Sequence, residues 1–224
     1  MYRTFPDRRA AGSALARELV RFTGPQTIVL GLPRGGVPVA EEIARALKAP
    51  LDIILVRKIG MPKNPELALG ALAGPEGQTI VLNSELVNDY GIDAATIEAQ
   101  AAPKRVELAQ RRKLWGARLK AGALEGKVVI LVDDGIATGA TMRAAIAAVR
   151  ADQPRLVIVA TPVAAPDALK RISKLSDEVV CLSAPVEFFA VGQHYESFPQ
   201  VSDDEVRAIL AAADSLSPLP SQRS

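Results

Sequence analysis

Cysteine, histidine and aromatic side chains are scarce in these 224 residues, with one Cys, one His and 4% Phe, Trp and Tyr together. A single cysteine excludes a disulfide framework, and with a lone histidine it leaves no His/Cys set of the kind that holds zinc. Charge of one sign is not in excess either. The 27 basic and 25 acidic side chains give +2, which argues against a surface built for a polyanion. No apolar run reaches the ~18 residues a membrane span needs. The opening Met-Tyr-Arg-Thr-Phe-Pro-Asp-Arg-Arg lacks the apolar core of a secretory signal, so a cytoplasmic protein is expected. Cys181 lies in the apolar run 179–182 and reads as a buried strand residue rather than a nucleophile.

What is there is an alternation of strand-like and helix-like segments in a composition that is 49% hydrophobic and 23% charged. That alternation predicts an α/β fold, doubly wound around a mainly parallel sheet. A helix is expected over 7–22, a first core strand over 27–32, a helix over 37–48 and a strand over 51–56. Gly and Pro punctuate 60–83, where 67–73 and 79–82 suit a hairpin. Residues 93–120 read as one long helix or as two that divide at Pro103. After a central strand come a helix at 140–150, a strand at 156–161, a helix at 166–175 and a strand at 178–182. A final helix over 202–213 opens with Ser202 and Glu205 in capping-box spacing. The expected organisation is one domain over 1–214, with a core at 27–182 and a small hood or cap at 184–200; a disordered tail follows over 215–224.

Residues 128–141, Val-Val-Ile-Leu-Val-Asp-Asp-Gly-Ile-Ala-Thr-Gly-Ala-Thr, carry the most chemistry. The run Val128–Val132 describes a strand buried on both faces. Asp133 and Asp134 close it, and a Gly/Thr loop leads into an Ala-rich helix. In open α/β sheets such strand ends bind ligands. Backbone N–H groups of Gly135, Ile136, Ala137, Thr138, Gly139, Ala140 and Thr141, two hydroxyls and a helix start together suit a phosphate. The carboxylates have the wrong sign for that phosphate. They address another part of the same ligand, and ribose hydroxyls fit. A Walker B strand also ends in acids, but no G-x-x-x-x-G-K-[ST] loop occurs in the chain, nor a G-x-G-x-x-G fingerprint.

Strand, acidic pair, phosphate loop and helix in this order resemble the phosphoribosyl-diphosphate (PRPP) motif of the type I phosphoribosyltransferases, over a core from about Thr27 to Leu182. The resemblance implies transfer of 5-phosphoribose from PRPP to a nitrogenous, base-like acceptor, with release of pyrophosphate. Asp133 and Asp134 would then serve the ribose, and 135–141 the 5′-phosphate. Mg²⁺ is implied by the ligand, since a pyrophosphate ester travels with it and Mg²⁺ keeps most of its waters. Asp133 and Asp134 are the candidates to touch it, directly or through water. A homodimer is the expected assembly. The loop departs from many members by carrying Ala137 and Ala140 where Thr or Gly is common.

Three further segments take roles from the same resemblance. In Gly31-Leu32-Pro33-Arg34-Gly35-Gly36 the glycines admit close backbone approach and Arg34 can fork onto a phosphate. The resemblance makes Arg34, Gly35 and Gly36 the pyrophosphate site, held in the family often through a strained peptide; a tight turn with a solvated Arg is the plain alternative. Arg57 and Lys58, with Lys63 a weaker candidate, stand at the expected end of the second strand, before a mobile loop. There the resemblance implies cations that neutralise the departing pyrophosphate, sometimes on a neighbouring subunit. Transfer at C1 of ribose passes through an oxocarbenium-like cation as a charged anion leaves, so cations at the leaving group lower the barrier. The stretch 186–198 holds three of the five Phe, one of the three Tyr and the only His. A variable hood at this place reads the acceptor base in the resembling family. Phe188, Phe189 and Tyr195 are therefore stacking candidates and His194 a candidate general base. The alternative is a structural His within an aromatic cluster that pins the C-terminal helix to the core.

Residues 104–120 bring Lys104, Arg105, Arg111, Arg112, Lys113, Arg118 and Lys120 against Glu107. Arg111, Arg112 and Lys113 already spread over ~200° at roughly 100° per residue, a poor match to one phosphate track. A solvated face is expected, with weak, salt-sensitive nucleic-acid binding at most. Trp115 on this stretch is a candidate subunit contact. A non-catalytic sensor of PRPP or a nucleotide, and a hydrolase with water as acceptor, remain as alternatives, because fold does not imply function. The cations Arg34, Arg57 and Lys58 favour an enzyme, since a sensor needs no transition-state stabiliser.

Overall fold

The computed structural model describes residues 4–62, 64–75 and 77–216. Lys63 and residues 217–224 of the expected tail lie outside the described residues. In chain order the first elements are α1 (Arg8–Leu19), β1 (Thr27–Gly31), α2 (Gly36–Leu47) and β2 (Leu51–Ile53). Then come β3 (Val56–Met61), β4 (Asn64–Ala73), β5 (Thr79–Leu82), α3 (Ser84–Asp89) and α4 (Ala94–Trp115). The last third holds β6 (Val128–Val132), α5 (Ala140–Ala151), β7 (Leu156–Val163), α6 (Pro166–Ile172), β8 (Glu178–Ser183) and α7 (Asp203–Leu216). Side-chain caps set helix starts: at α1, Asp7 accepts the Ala10 N–H at 2.8 Å, and at α7 the Ser202 hydroxyl accepts that of Glu205 at 3.1 Å.

Five strands form the expected parallel sheet in the order β2-β1-β6-β7-β8. Their side chains alternate between two cores. Val29, Ile130 and Ile158 pack with α1, α2 and α7, while Leu30, Leu131 and Val159 pack with α5 and α6. The chain runs outward from β1 to β2 and returns to β6 on the other side of β1. The switch point of this doubly wound sheet therefore lies between β1 and β6, where a ligand cleft is expected. No helix among the described residues is long and apolar enough to cross a membrane.

The second strand differs from expectation. The apolar run 51–56 is not one strand, because β2 stops at Ile53 and the chain turns into β3. β3, β4 and β5 make a separate antiparallel sheet that contains the expected hairpin. Arg57 and Lys58 thus sit within β3 rather than at the end of a parallel strand. Ile54 and Leu55 are buried across the break, so the apolar pattern runs through it without a mark. Helix α4 resolves the other open reading. It continues through Pro103, with Ala101 and Leu108 buried in the core on either side of the proline, so packing overrides the local cost. It ends at Trp115, where Gly116 takes a left-handed cap at φ 69°, leaving residues 118–120 outside the helix. Cys181 is a partly buried β8 residue whose thiol is pushed up by burial.

One carboxylate is buried at the sheet edge. Asp52 accepts N–H bonds from Ile53 (2.8 Å), Arg118 (2.8 Å) and Leu119 (2.6 Å), which fixes the chain just past α4. Burial pushes its carboxyl above the ordinary range, and these three donors pull it back. Asp52→Ala would leave the Arg118 and Leu119 N–H groups without their acceptor, at about 1–3 kcal/mol each. Urea unfolding should show a loss of roughly 2–5 kcal/mol; an unchanged midpoint would show that these bonds carry no stability.

Candidate active site

The loops that leave β1 and β6 touch at the switch point. The Leu32 N–H donates to the Val132 carbonyl at 2.8 Å. Gly35 caps α2, and a Cβ on it would run into the Asp134 carboxylate, while one on Gly36 would press on the Val132 carbonyl. The close approach these glycines were expected to give a ligand is here an approach to the acidic pair. The peptide between Pro33 and Arg34 is cis.

The two carboxylates differ in partners. Asp133 accepts the Asp134 N–H through Oδ1 at 2.9 Å. Asp134 Oδ2 accepts from Arg8 Nε at 2.8 Å. Arg8 is buried at 8% exposure, donates also to the Pro199 carbonyl at 2.7 Å and lies 3.7 Å over the Phe198 ring. Burial pushes both carboxyls up. Asp133 is raised well above its ordinary range, since the negative charge of Asp134 adds to burial, whereas Arg8 pulls Asp134 back.

Beyond the acids, Ile136 is tied to the end of β7. Its N–H donates to Val163 at 2.9 Å, and its carbonyl accepts from Ala165 at 2.9 Å. Gly139 turns the chain at φ 75°, a conformation side chains disfavour, and the Thr138 hydroxyl accepts the Ala140 N–H at 3.4 Å. Ala137, Thr138, Ala140 and Thr141 remain exposed. The result is an anchored loop with an open tip at the start of α5, a geometry that suits a phosphate.

The hood aromatics divide. Tyr195 is buried, pairs with Phe5 by an isolated bridge, stacks on Phe198 at 4.8 Å, and donates its hydroxyl to the Asp134 carbonyl at 2.5 Å. Burial pushes that hydroxyl far up. Contrary to expectation, Tyr195 presents no free stacking face and instead pins the hood to the acidic pair. His194 is buried and stacks on Phe188 at 5.4 Å, and burial lowers its pKa. Phe189, at 79% exposure, is the open aromatic of the hood. Val191 packs on Gly135, so this segment reaches the phosphate loop itself.

The expected cations are engaged. Arg57 Nε donates to Glu107 at 2.8 Å, and Lys104 shares that carboxylate at 3.4 Å. Arg34 reaches Asp203 at 3.5 Å, and Lys58 is exposed on β3. A small cleft lies between Pro33, Arg57, Trp115 and Thr141. Trp115, a candidate subunit contact from the sequence, is instead a buried core residue with its Nε1–H on Asp203 at 3.1 Å. Nor are the cations of 104–120 an open basic face. Arg105 pairs with Glu98, Arg111 with Asp203 and Arg118 with Asp214, and Arg112 donates to the carbonyls of Pro75, Ala117 and Leu119.

Sequence reasoning missed Arg8, which lies 126 residues from its partner Asp134. One local signal existed: Arg8 opens α1 just after its Asp7 cap, and a cation is misplaced at the positive end of a helix unless something else holds it. Asp203 was missed as well, hidden among the acids that open α7.

No group of three or more His, Cys, Asp or Glu that could hold a metal occurs among the described residues. The two hard oxygen donors Asp133 and Asp134 fit a Mg²⁺ that arrives with its ligand's phosphates and its own waters.

Comparison with known proteins gives the family and the fold. A phosphoribosyl transferase domain model matches residues 6–197. A Mycobacterium tuberculosis protein, provisionally named a phosphoribosyl transferase, is 46% identical over 209 residues, 93% of this chain and 47% of that protein. The chain thus spans about half the length of this relative, 47%. The crystal structure of TT1426 from Thermus thermophilus is 47% identical and superposes with a TM-score of 0.81, over 93% of this chain and 98% of that one. The chain belongs to the phosphoribosyl transferase family, and its five-stranded parallel sheet with flanking helices is the type I fold of that family.

Proposed function

We propose that this domain transfers the 5-phosphoribosyl group of PRPP to a nitrogenous, base-like acceptor and releases pyrophosphate. The observation that carries the reading is the contact between the glycine loop and the acidic pair at the switch point, beside an exposed loop tip that opens α5. The tip takes the 5′-phosphate through backbone N–H groups and the hydroxyls of Thr138 and Thr141. Asp133 receives ribose hydroxyls, and Asp134, held by Arg8, stands beside it. Their negative charge favours the ribosyl cation that forms at C1. Arg34, Arg57 and Lys58 serve the pyrophosphate. Mg²⁺, held by Asp133 and Asp134 with the ligand's own oxygens, would supply charge neutralisation of that leaving group. Phe189 is the hood surface open to an acceptor base.

A cation that matters most as the leaving group departs should affect turnover more than affinity. Arg57→Ala and Lys58→Ala are each expected to lower kcat by on the order of tenfold or more, with PRPP affinity changed far less. Wild-type turnover in both variants would mark them as β3 surface. The test of the whole reading is Mg²⁺-dependent pyrophosphate release from PRPP across a panel of purine and pyrimidine bases. At least one base should accelerate release. Release that no base accelerates would point to hydrolysis, and PRPP binding without release to a sensor.

A further inference from the structure

Four side chains from three parts of the chain meet beside the glycine loop. Asp203, the first residue of α7, accepts from Arg111 Nη1 on both carboxylate oxygens, at 3.2 and 3.1 Å. Its Oδ1 also accepts from Trp115 Nε1 at 3.1 Å and from Arg34 Nη1 at 3.5 Å. The Arg111 guanidinium lies 5.4 Å over the Trp115 ring. Two guanidinium groups and an indole N–H converging on one carboxylate are the kind of donor set that recognises an oxyanion. These two cations face one carboxylate, so positive charge is left over with Asp203 in place.

Position and exposure make this cluster reachable. The Arg34, Arg111 and Asp203 side chains are 32%, 35% and 35% exposed. Trp115 lines the same cleft as Pro33, Arg57 and Thr141, between the glycine loop and the phosphate loop. Glu107, Arg111 and Trp115 recur at four-residue spacing on one face of α4, and Glu107 holds Arg57 as Asp203 holds Arg34. Ion pairs about a third exposed are individually weak, so another anion can exchange with such a carboxylate.

We propose that Arg34, Arg111 and Trp115 form an oxyanion seat that Asp203 occupies in the ligand-free protein, and that a phosphate or carboxylate oxyanion of a substrate or product displaces it. This rests on the proposed transferase reading, which brings such a group to this place in one of two ways: as the pyrophosphate, or as a carboxylate carried by the acceptor. The exchange replaces one oxyanion by another on the same donors, so none is left unpaired. It also frees the first residue of α7 from α4, which couples occupancy of the seat to the contact between these helices.

Calorimetric titration with Mg²⁺-pyrophosphate reports the first source, and orotate against its uncharged parent uracil reports the second. Asp203→Asn keeps the size and the acceptor for Trp115 but removes the competing charge. It should tighten binding of the responsible probe by roughly three- to tenfold, the worth of a partly exposed ion pair. Arg111→Gln should weaken the same probe by a comparable factor, and Trp115→Phe should weaken it while keeping the ring. Unchanged affinity for pyrophosphate and orotate in both Asp203→Asn and Arg111→Gln overturns the seat; so does absence of binding of either probe to the wild-type protein. A lowered melting temperature with unchanged affinity would make Asp203 only a tie between α7 and α4. If no base supports transfer but pyrophosphate binding follows these substitutions, the seat stands and the transferase reading fails. Transfer with binding blind to them gives the reverse.

Discussion

Asp133→Asn should raise the melting temperature of the ligand-free protein by roughly 2–4 °C per kcal/mol gained, and lower PRPP-dependent turnover on the order of a hundredfold or more. The two effects have one cause. Asp133 is partly buried beside Asp134, and burial plus that neighbouring charge push its carboxyl well above the ordinary range. Its ionised form is thus a burden to the empty fold and an asset once a ribosyl cation forms. Asn keeps the size and still accepts the Asp134 N–H through Oδ1. The pH dependence follows. With a folded pKa above the unfolded value of about 3.9, the native state binds the proton more tightly, so this group's contribution to stability is present at low pH and is lost as pH rises through the folded pKa. The melting-temperature gap between the Asp133→Asn variant and wild type should therefore widen from acid toward neutral pH. A melting temperature below wild type, with PRPP binding intact, would remove Asp133 from the site.

Arg8→Met should destabilise the protein by about 3–5 kcal/mol, the cost of leaving a buried carboxylate without its cation. Arg8 is nearly as enclosed as the core, and its guanidinium joins the Asp134 carboxylate, the Pro199 carbonyl and the Phe198 face. Met retains much of the aliphatic bulk, so the loss reports charge and hydrogen bonds more than packing. A second substitution, Asp134→Asn, should recover a large part of it, because the uncompensated charge is then gone. Urea unfolding of the four proteins in that cycle gives the coupling. A loss below about 1 kcal/mol, or no recovery in the double variant, would show the pair to be screened by solvent.

The parallel sheet and its two loops were legible because their signals are local. Val128–Val132 can hardly be anything but a doubly buried strand, and Gly139 after an acidic pair marks a turn into a helix. The division of 51–56 was not legible, since a break inside a continuous apolar run leaves no trace in hydropathy. Trp115 and Tyr195 misled for a common reason. Each has a polar end that suits an interface or a ligand, and each commits it to a distant side-chain or backbone partner, Asp203 and the Asp134 carbonyl. Long-range polar pairs follow no period, so neither residue announced its burial. The basic stretch 104–120 was open to overreading for the same reason, because its acidic partners Glu98, Asp203 and Asp214 are not adjacent in sequence.

The clasp of Arg8 spans nearly the whole chain, with Asp134 126 positions and Pro199 191 positions further along it. During synthesis, a chain that has emerged only through β8 already contains every strand of the parallel sheet, yet it lacks Tyr195, Phe198 and Pro199. Strands β6, β7 and β8 pair across short stretches of chain, while the groups that enclose the acidic pair must close a loop of nearly two hundred residues onto α1. Nascent chains are therefore expected to pass through a stage with the acidic pair open to water on the hood side, which would make the finished site a late product of folding rather than its nucleus.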